Sequence, residues 1–187
     1  HYFVGSEETE PGNGWAYDRF MPSLVNDHTM SAEQLGRAIV DAYYADSRED
    51  STLALSNLDT IPALDAALGR FADGLIANRT LYSSFNSARS STQAFYTPEH
   101  RDLVDFAQRI ANLSSAPQTL KDSANALVTQ LNQSIVYSRA QSDYPGAHGL
   151  AIYLPGTSDY FDSDYTGLGA TWSTATTWDE FLQDFAR

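Results

Sequence analysis

Five helical patterns separate three short apolar segments along this chain of 187 residues. In the helical patterns, apolar side chains recur at the spacing of one face of an amphipathic helix. The patterns cover residues 31–46, 60–76, 97–110, 115–139 and 177–185, and the apolar segments are Tyr2–Val4, Thr52–Leu55 and Gly149–Leu154. Helices that alternate with short apolar strands predict an α/β protein that is rich in helix and has few strands.

Two capping boxes mark helix starts in this sequence. Ser31 with Gln34, and Thr177 with Glu180, have the spacing at which a hydroxyl and a later amide or acid bond each other's main-chain N–H groups. Both pairs stand directly before a helical pattern. They predict helices that begin just after Ser31 and Thr177.

Proline positions give the remaining boundaries. Thr97 and Pro98 predict a helix start, because proline is tolerated in the first helical turn. Residues 22–30 are predicted as a loop that follows a short amphipathic stretch, which Pro22 interrupts. For residues 80–96, which are rich in hydroxyl groups, helix and loop both remain open.

The apolar segments Tyr2–Val4 and Gly149–Leu154 look like interior strands of a sheet. Segments that are apolar nearly throughout are typical of strands covered on both faces. Two or three interior strands do not make a stable sheet with protected edges. We therefore expect the other strands of this sheet to lie outside residues 1–187, which would form one segment of a larger domain.

Charge and cysteine content exclude several classes of function. The chain has 24 acidic and 11 basic side chains, a net charge of −13, so a nucleic-acid partner is not expected. It has no cysteine, which excludes disulfides, thiolate metal sites and a cysteine nucleophile within these residues. No apolar run approaches the roughly 18 residues that cross a bilayer, so no membrane span is expected.

Few residues suggest metal or acid–base chemistry. The 4 histidines are scattered, and for each a structural or surface role is expected. Asp159, Asp162 and Asp164 have oxygen ligands that suit calcium, but they lack the glycine and terminal glutamate of an EF-hand loop. A solvated turn is the favoured interpretation of these aspartates. No serine lies in a Gly-x-Ser-x-Gly motif, so the nucleophile elbow of a hydrolase is absent.

The most suggestive segment follows the first strand, and we call residues 6–15 the opening loop. It is rich in acids and glycines, and it starts where a strand ends, a usual place for a binding site. Its side chains could line a pocket for a basic group, or it could be a surface loop held by inward packing of Trp15 and Tyr17. The residues alone leave both interpretations open.

Four segments resemble the C-terminal half of the clostripain-like cysteine peptidases. They are Ser6–Tyr17 (SEETEPGNGWAY), Asp102–Phe106 (DLVDF), Gly149–Pro155 (GLAIYLP) and Trp178–Leu182 (WDEFL). The first is fairly specific, the others are individually weak, and together they span the chain in the right order. The resemblance implies part of a caspase-like α/β/α sandwich and an endopeptidase that uses a His/Cys dyad.

In that family the catalytic histidine and cysteine would both lie upstream of His1. The resemblance therefore implies that residues 1–187 are the C-terminal portion of the peptidase domain, with the N-terminal portion and a peptide or protein substrate as partners. It also implies an exported bacterial protein, whether secreted, periplasmic or at the cell surface. No cofactor is expected, apart from the calcium considered above.

The resemblance assigns the opening loop to the substrate pocket. The implied substrate-binding residues are Ser6, Glu8, Thr9, Glu10, Asn13 and Trp15. In the family an acid commonly stands where this chain has Asn13, and it selects arginine or lysine. An amide supplies no charge, so Glu8 or Glu10 would have to substitute, or the preference would change. The alternative function is a non-catalytic module on the same fold that binds a peptide or a surface ligand.

Overall fold

The computed structural model describes residues 1–12, 14–46, 51–157, 161–167 and 174–186. The helices in these ranges include α1 (Tyr17–Asn26), α2 (Ala32–Asp46), α3 (Ile61–Ile76), α4 (Tyr82–Ser91), α5 (Leu103–Ala111), α6 (Gln118–Ser134) and α7 (Trp178–Phe185). The strands are β1 (Tyr2–Gly5), β2 (Thr52–Asn57), β3 (His100–Asp102), β4 (Ile135–Ala140) and β5 (Ala151–Tyr153). The predicted helix-rich α/β class is confirmed.

Strand β2 lies in the middle of a three-stranded sheet, between β1 and β4, and runs antiparallel to both. Leu55 of β2 lies opposite Val4 on one side and opposite Tyr137 on the other. Strands β3 and β5 form a separate antiparallel pair, in which Arg101 lies opposite Ile152. The two strands expected to be interior, β1 and β5, therefore belong to different sheets, and within the described residues each pairs with one neighbour.

Helix α2 covers one face of the three-stranded sheet. Val40 and Tyr43 of α2 pack against Leu53 and Leu55 of β2. Gly36 permits the close approach, because a Cβ atom at this position would lie 3.0 Å from Cδ2 of Leu55 and still closer to Cδ1. Sheet and helix are thus in direct contact along the middle strand.

The other face of the sheet meets the larger core of the molecule. Ala54 points to this face and lies against Gly149, where an added Cβ atom would come 2.8 Å from the Cβ of Ala54. Behind it, α3 and α5 pack against α6, and α7 packs against α3. The largest fully buried side chains of this core include Phe71, Phe106, Trp178, Phe181 and Phe185. The result is a layered arrangement with helices on both sides of the sheet.

Helix α1 continues through Pro22, so the predicted loop over residues 22–30 is wrong in its first half. Pro22 is exposed, and the helix depends on Phe20, which packs against Ala42 of α2. A proline removes one N–H donor from the helix. Here the hydrophobic contact on the opposite side is sufficient to keep the helix formed.

The helix predicted to begin at Thr97 begins at Leu103. Asp102 provides the cap, since its Oδ1 atom accepts a hydrogen bond of 2.6 Å from the N–H of Asp105. Residues His100–Asp102 form β3, which pairs with β5 about fifty residues later in the sequence. A local proline signal could not reveal this distant pairing.

The long helix predicted for residues 115–139 ends at Ser134, and its last part is strand β4. Ile135, Val136 and Tyr137 have side chains that favour strands, and β4 pairs with β2. The Ser31–Gln34 capping box is confirmed, with reciprocal bonds of 2.7 and 3.2 Å. The second box does not form, because the hydroxyl of Thr177 bonds elsewhere.

Candidate functional site

The root of the opening loop is bound to the start of β2. The Ser6 hydroxyl donates a hydrogen bond of 2.6 Å to the carbonyl oxygen of Thr52. The N–H groups of Glu7 and Glu8 point at the Thr52 hydroxyl oxygen, at 3.0 and 3.2 Å. The loop therefore leaves β1 in a fixed direction.

Glu8 ties the opening loop to two other segments. Its Oε2 atom accepts one hydrogen bond from the N–H of Tyr96 and one from the hydroxyl of Tyr144, both of 2.8 Å. Its Oε1 atom accepts a bond of 2.6 Å from the N–H of Thr9. The carboxylate of Glu8 thus has protein donors on both oxygens.

The tip of the opening loop makes contacts mainly within itself. The indole N–H of Trp15 donates a hydrogen bond of 2.8 Å to Glu10 Oε2, and the Trp15 side chain packs against the buried cluster that includes Val40 and Tyr43. Burial, assisted by the nearby Glu10, raises the pKa of Tyr43 to about 12. Thr9 and Glu10 are exposed. Asn13 lies outside the described residues, and the assignment of all six loop residues to a substrate pocket stays a prediction.

A second loop, Tyr144–Gly149, lies beside the root of the opening loop, and we call it the histidine loop. Its His148 ring lies with Nδ1 3.0 Å from Asp102 Oδ1 and 2.9 Å from the carbonyl oxygen of Gly146. Both neighbours are acceptors, so Nδ1 carries the proton. The hydrogen bond to Asp102 raises the pKa of His148, and partial burial opposes the shift.

Asp102 is the centre of this arrangement. It is fully buried, and besides the N–H of Asp105 it accepts a hydrogen bond of 2.6 Å from the N–H of His148. With the His148 ring this makes three N–H donors on one carboxylate. Such a donor set suits a charged carboxylate in a buried position.

Glu7 reaches the same place from the opening loop. Its Oε2 atom accepts a hydrogen bond of 2.8 Å from the N–H of Gly149. Its Oε1 atom is buried and has no partner with hydrogen-bond geometry among the described residues, although the Leu150 N–H also acts on the Glu7 carboxyl and opposes a rise of its pKa. Burial, together with the charge of Asp102 and a hydrogen bond between the two carboxyl groups, raises the pKa of Glu7 to about 9. Glu7 is therefore a neutral acid at neutral pH.

Sequence reasoning did not identify the group formed by Glu7, Asp102 and His148 as a unit. Glu7 and Asp102 both lie in the segments that carry the family resemblance, but neither is among the six residues that the resemblance assigns to the substrate pocket. The three residues are separated by 95 and 46 positions, so no local pattern joins them. The signal that was available is weak: an acid before a helix that could cap it, and a histidine before an apolar strand.

The described residues contain no group of three or more histidine and acidic side chains that could hold a metal ion. Asp162 accepts a hydrogen bond of 2.9 Å from the N–H of Asp164, as in an Asx-type turn. Asp159 lies outside the described residues. Among the helices of the described ranges, none has the length and apolar character needed to cross a bilayer.

Comparisons with solved structures identify the fold. The secreted C11 cysteine protease from Bacteroides thetaiotaomicron, in complex with an irreversible peptide inhibitor, matches with a TM-score of 0.62 and 17% identity over 95% of this chain and 53% of that one. A clostripain from the same organism, in complex with a peptide inhibitor, matches with a TM-score of 0.56 and 16% identity over 94% and 76% of the two chains. An inactive zymogen C11 protease from Parabacteroides distasonis matches with a TM-score of 0.57 and 19% identity over 97% and 51%.

The chain thus spans about half the length of the first and third of these proteins. No curated protein sequence matches it. The solved structures confirm the predicted α/β fold of the C11 proteases. The model of the clostripain family matches residues 1–185. Because that match covers nearly every residue, the chain belongs to the clostripain family.

Proposed function

We propose that residues 1–187 form the C-terminal portion of the peptidase domain of a cysteine endopeptidase, and that they supply a wall of its substrate pocket. The observation that carries this proposal is the family match over residues 1–185 in a sequence without cysteine. A cysteine peptidase needs a thiolate nucleophile. We therefore assign the His/Cys dyad to a segment that precedes these residues and packs against them.

In the intact protein, a histidine-assisted thiolate would attack the peptide carbonyl, and water would then hydrolyse the acyl-enzyme. The part of this chain in that reaction is to bind and orient the substrate. The opening loop is the candidate element, since its root is fixed and its tip faces solvent. Correct orientation of a bound substrate accounts for a large share of many enzymatic rate enhancements.

Specificity in this proposal depends on the tip of the loop. The carboxylate of Glu8 accepts hydrogen bonds from three protein donors, so both of its oxygens already have partners within the protein. Glu10 is exposed and bonds only the Trp15 indole in the described part of the chain. We infer that Glu10, together with the amide of Asn13, is the group that meets a basic substrate side chain.

The experiment uses the full-length protein expressed from its gene. Fluorogenic peptides with arginine, lysine or an uncharged residue at the cleavage position are assayed, with and without treatment by iodoacetamide. We expect hydrolysis that alkylation abolishes. Binding of the peptides without hydrolysis, or an upstream sequence that lacks the histidine or the cysteine, would instead support the non-catalytic binding module.

Export of the protein is part of the same proposal. The first of the matched structures belongs to a secreted protease, and exported peptidases act on external proteins. The partners would be the N-terminal portion of the same protein and a peptide or protein substrate. Fractionation of the source cells, followed by detection of the protein with an antibody, tests this part separately from the catalytic assay.

A further inference from the structure

The opening loop and the histidine loop are joined through carboxyl groups. Glu8 accepts a hydrogen bond from the hydroxyl of Tyr144, at the start of the histidine loop. Glu7 accepts one from the N–H of Gly149, at its end. Asp102 accepts a hydrogen bond from the N–H of His148. The histidine loop is therefore held at both ends by acids, and two of these acids belong to the opening loop.

The position of the proton within this group follows from the donors. Asp102 is fully buried, and N–H groups already bond both of its oxygens. Glu7 Oε1 is buried without a hydrogen-bond partner in the described ranges, and the Glu7 carboxyl interacts with Asp102. Two ionised carboxylates in one buried site repel strongly. The raised pKa of Glu7 is consistent with this repulsion, so the Glu7 carboxyl rather than Asp102 holds the proton at neutral pH.

Gly149 shows that the contact has little room to adjust. Its φ angle is +115°, and a Cβ atom here would lie 2.8 Å from Ala54 Cβ and 2.9 Å from Ile135 Cγ2. The end of the histidine loop is thus pressed against the sheet while its N–H points at Glu7. Displacement of the Glu7 carboxyl would move the root of the opening loop relative to a fixed surface.

We propose that Glu7 is a positioning residue. Its Oε2 atom accepts a hydrogen bond from Gly149 and its Oε1 atom is buried in the same site, so that the Glu7 carboxyl fixes the root of the opening loop against the histidine loop. This inference rests on the proposed function, because it assigns the substrate wall to the opening loop. Glu7 itself does not contact the substrate. It acts by holding Thr9–Gly12, Gly14 and Trp15, the described residues beyond the root, where they can bind.

The same geometry makes the wall sensitive to alkaline pH. The charged group that acts directly on Glu7 is Asp102. Asp102 in turn bonds His148, and His148 is also influenced by Asp105, whose ion-pair partner is Arg109. Loss of the Glu7 proton would place a second negative charge against Asp102 and remove the bond between them. The pKa of Glu7, about 9, sets the range in which this occurs.

The test compares Glu7→Gln, Glu7→Ala and the control Glu99→Gln in the full-length protein. Glutamine keeps both bonds, since its N–H group replaces the acid proton. We measure KM and kcat for a fluorogenic peptide from neutral to alkaline pH. In the wild type KM should rise above about pH 9, whereas in Glu7→Gln it should stay constant. Glu7→Ala should raise KM about tenfold or more at every pH and change kcat less.

Hydrogen exchange of residues 6–10 and 144–150 gives a readout that does not need activity. Glu7→Ala should accelerate exchange in both segments, Glu7→Gln should not accelerate it, and Glu99→Gln should leave it as in the wild type. The inference is overturned if glutamine impairs KM as much as alanine, or if Glu7→Ala leaves the exchange of both segments unchanged. Absence of peptidase activity in the wild type would refute the proposed function alone, and hydrogen exchange would still decide the role of Glu7.

Discussion

Replacement of Glu7 by glutamine should stabilise the protein at neutral pH. Burial beside Asp102 keeps Glu7 protonated in the folded state up to about pH 9, whereas an exposed glutamic acid has a pKa of 4.5. The unfolded chain therefore gains free energy by releasing this proton, and the folded chain cannot. Glutamine does not ionise in either state, so the variant removes this advantage of the unfolded chain.

The magnitude and sign follow from the two pKa values. Below pH 4.5 both states bind the proton, and Glu7 does not affect the pH dependence of stability. Between pH 4.5 and about 9 the unfolded state binds fewer protons, so the free energy of unfolding falls as the pH rises. Each pH unit above 4.5 corresponds to about 1.4 kcal/mol. At neutral pH Glu7→Gln should therefore be more stable than the wild type by about 3 kcal/mol.

Urea denaturation of the full-length protein near pH 5 and near pH 7 measures this difference. The stabilisation should be small at the lower pH and should grow with pH. Glu99→Gln is the matched control, because the Glu99 carboxylate makes no hydrogen bond or ion pair in the described part of the chain, and its effect should be close to zero at both pH values. A Glu7→Gln variant that is less stable than the wild type at neutral pH, or whose stabilisation does not depend on pH, would refute the reasoning.

Three further predictions concern the same two loops. Gly149→Ala should destabilise the protein by about 3 kcal/mol or more, as measured by thermal unfolding, because of backbone strain and contact with Ala54. Gly12→Ala is the control and should have little effect, because there is free space around Gly12. Equal effects of the two substitutions would contradict the packing argument. Asn13→Asp should increase the preference of the full-length enzyme for arginine over uncharged substrates, and an unchanged ratio of kcat/KM values would remove residue 13 from the pocket. The His148–Asp102 pair stabilises the fold fully below the ordinary histidine pKa of 6.5, and this stabilisation is lost as the pH rises through the raised pKa of His148 in the folded protein. His148→Gln should therefore remove this part of the pH dependence of the free energy of unfolding. An unaltered dependence would show that the pair contributes nothing.

The elements that sequence predicted best are those with strong local signals. The capping box of Ser31 and Gln34 marked the start of α2 correctly, because both partners lie within one turn of the helix. The wrong boundaries all involve distant partners. Helical spacing predicts strand β4 as the end of a helix, because the pairing of β4 with β2 joins residues that are 79 to 88 positions apart. Helix α1 was cut short because its contact with α2 is invisible to a local rule.

The candidate site was predicted only in part for a similar reason. Composition and the family resemblance point to the opening loop, whose assignment to a substrate pocket stays a prediction. The acids that hold its root were not, because burial decides whether a glutamate is a charged surface group or a neutral donor. Glu7 and Glu8 are adjacent in the sequence, yet Glu7 has a raised pKa beside Asp102 and Glu8 bonds two tyrosines and its own neighbour. Sequence alone cannot separate them.

The division of the opening loop into a fixed root and a free tip has a consequence for specificity. Bonds from Ser6, Glu7 and Glu8 lead to other segments of the fold, so substitutions there alter stability together with binding. From Glu10 to Trp15, the described hydrogen bonds stay within the loop or continue into α1. A change of residue in the tip can therefore alter the charge of the pocket wall without loosening the root. In the proposed substrate pocket, a family member would then change its preferred substrate at residue 13 while the contact between Glu7 and Asp102 stays as it is.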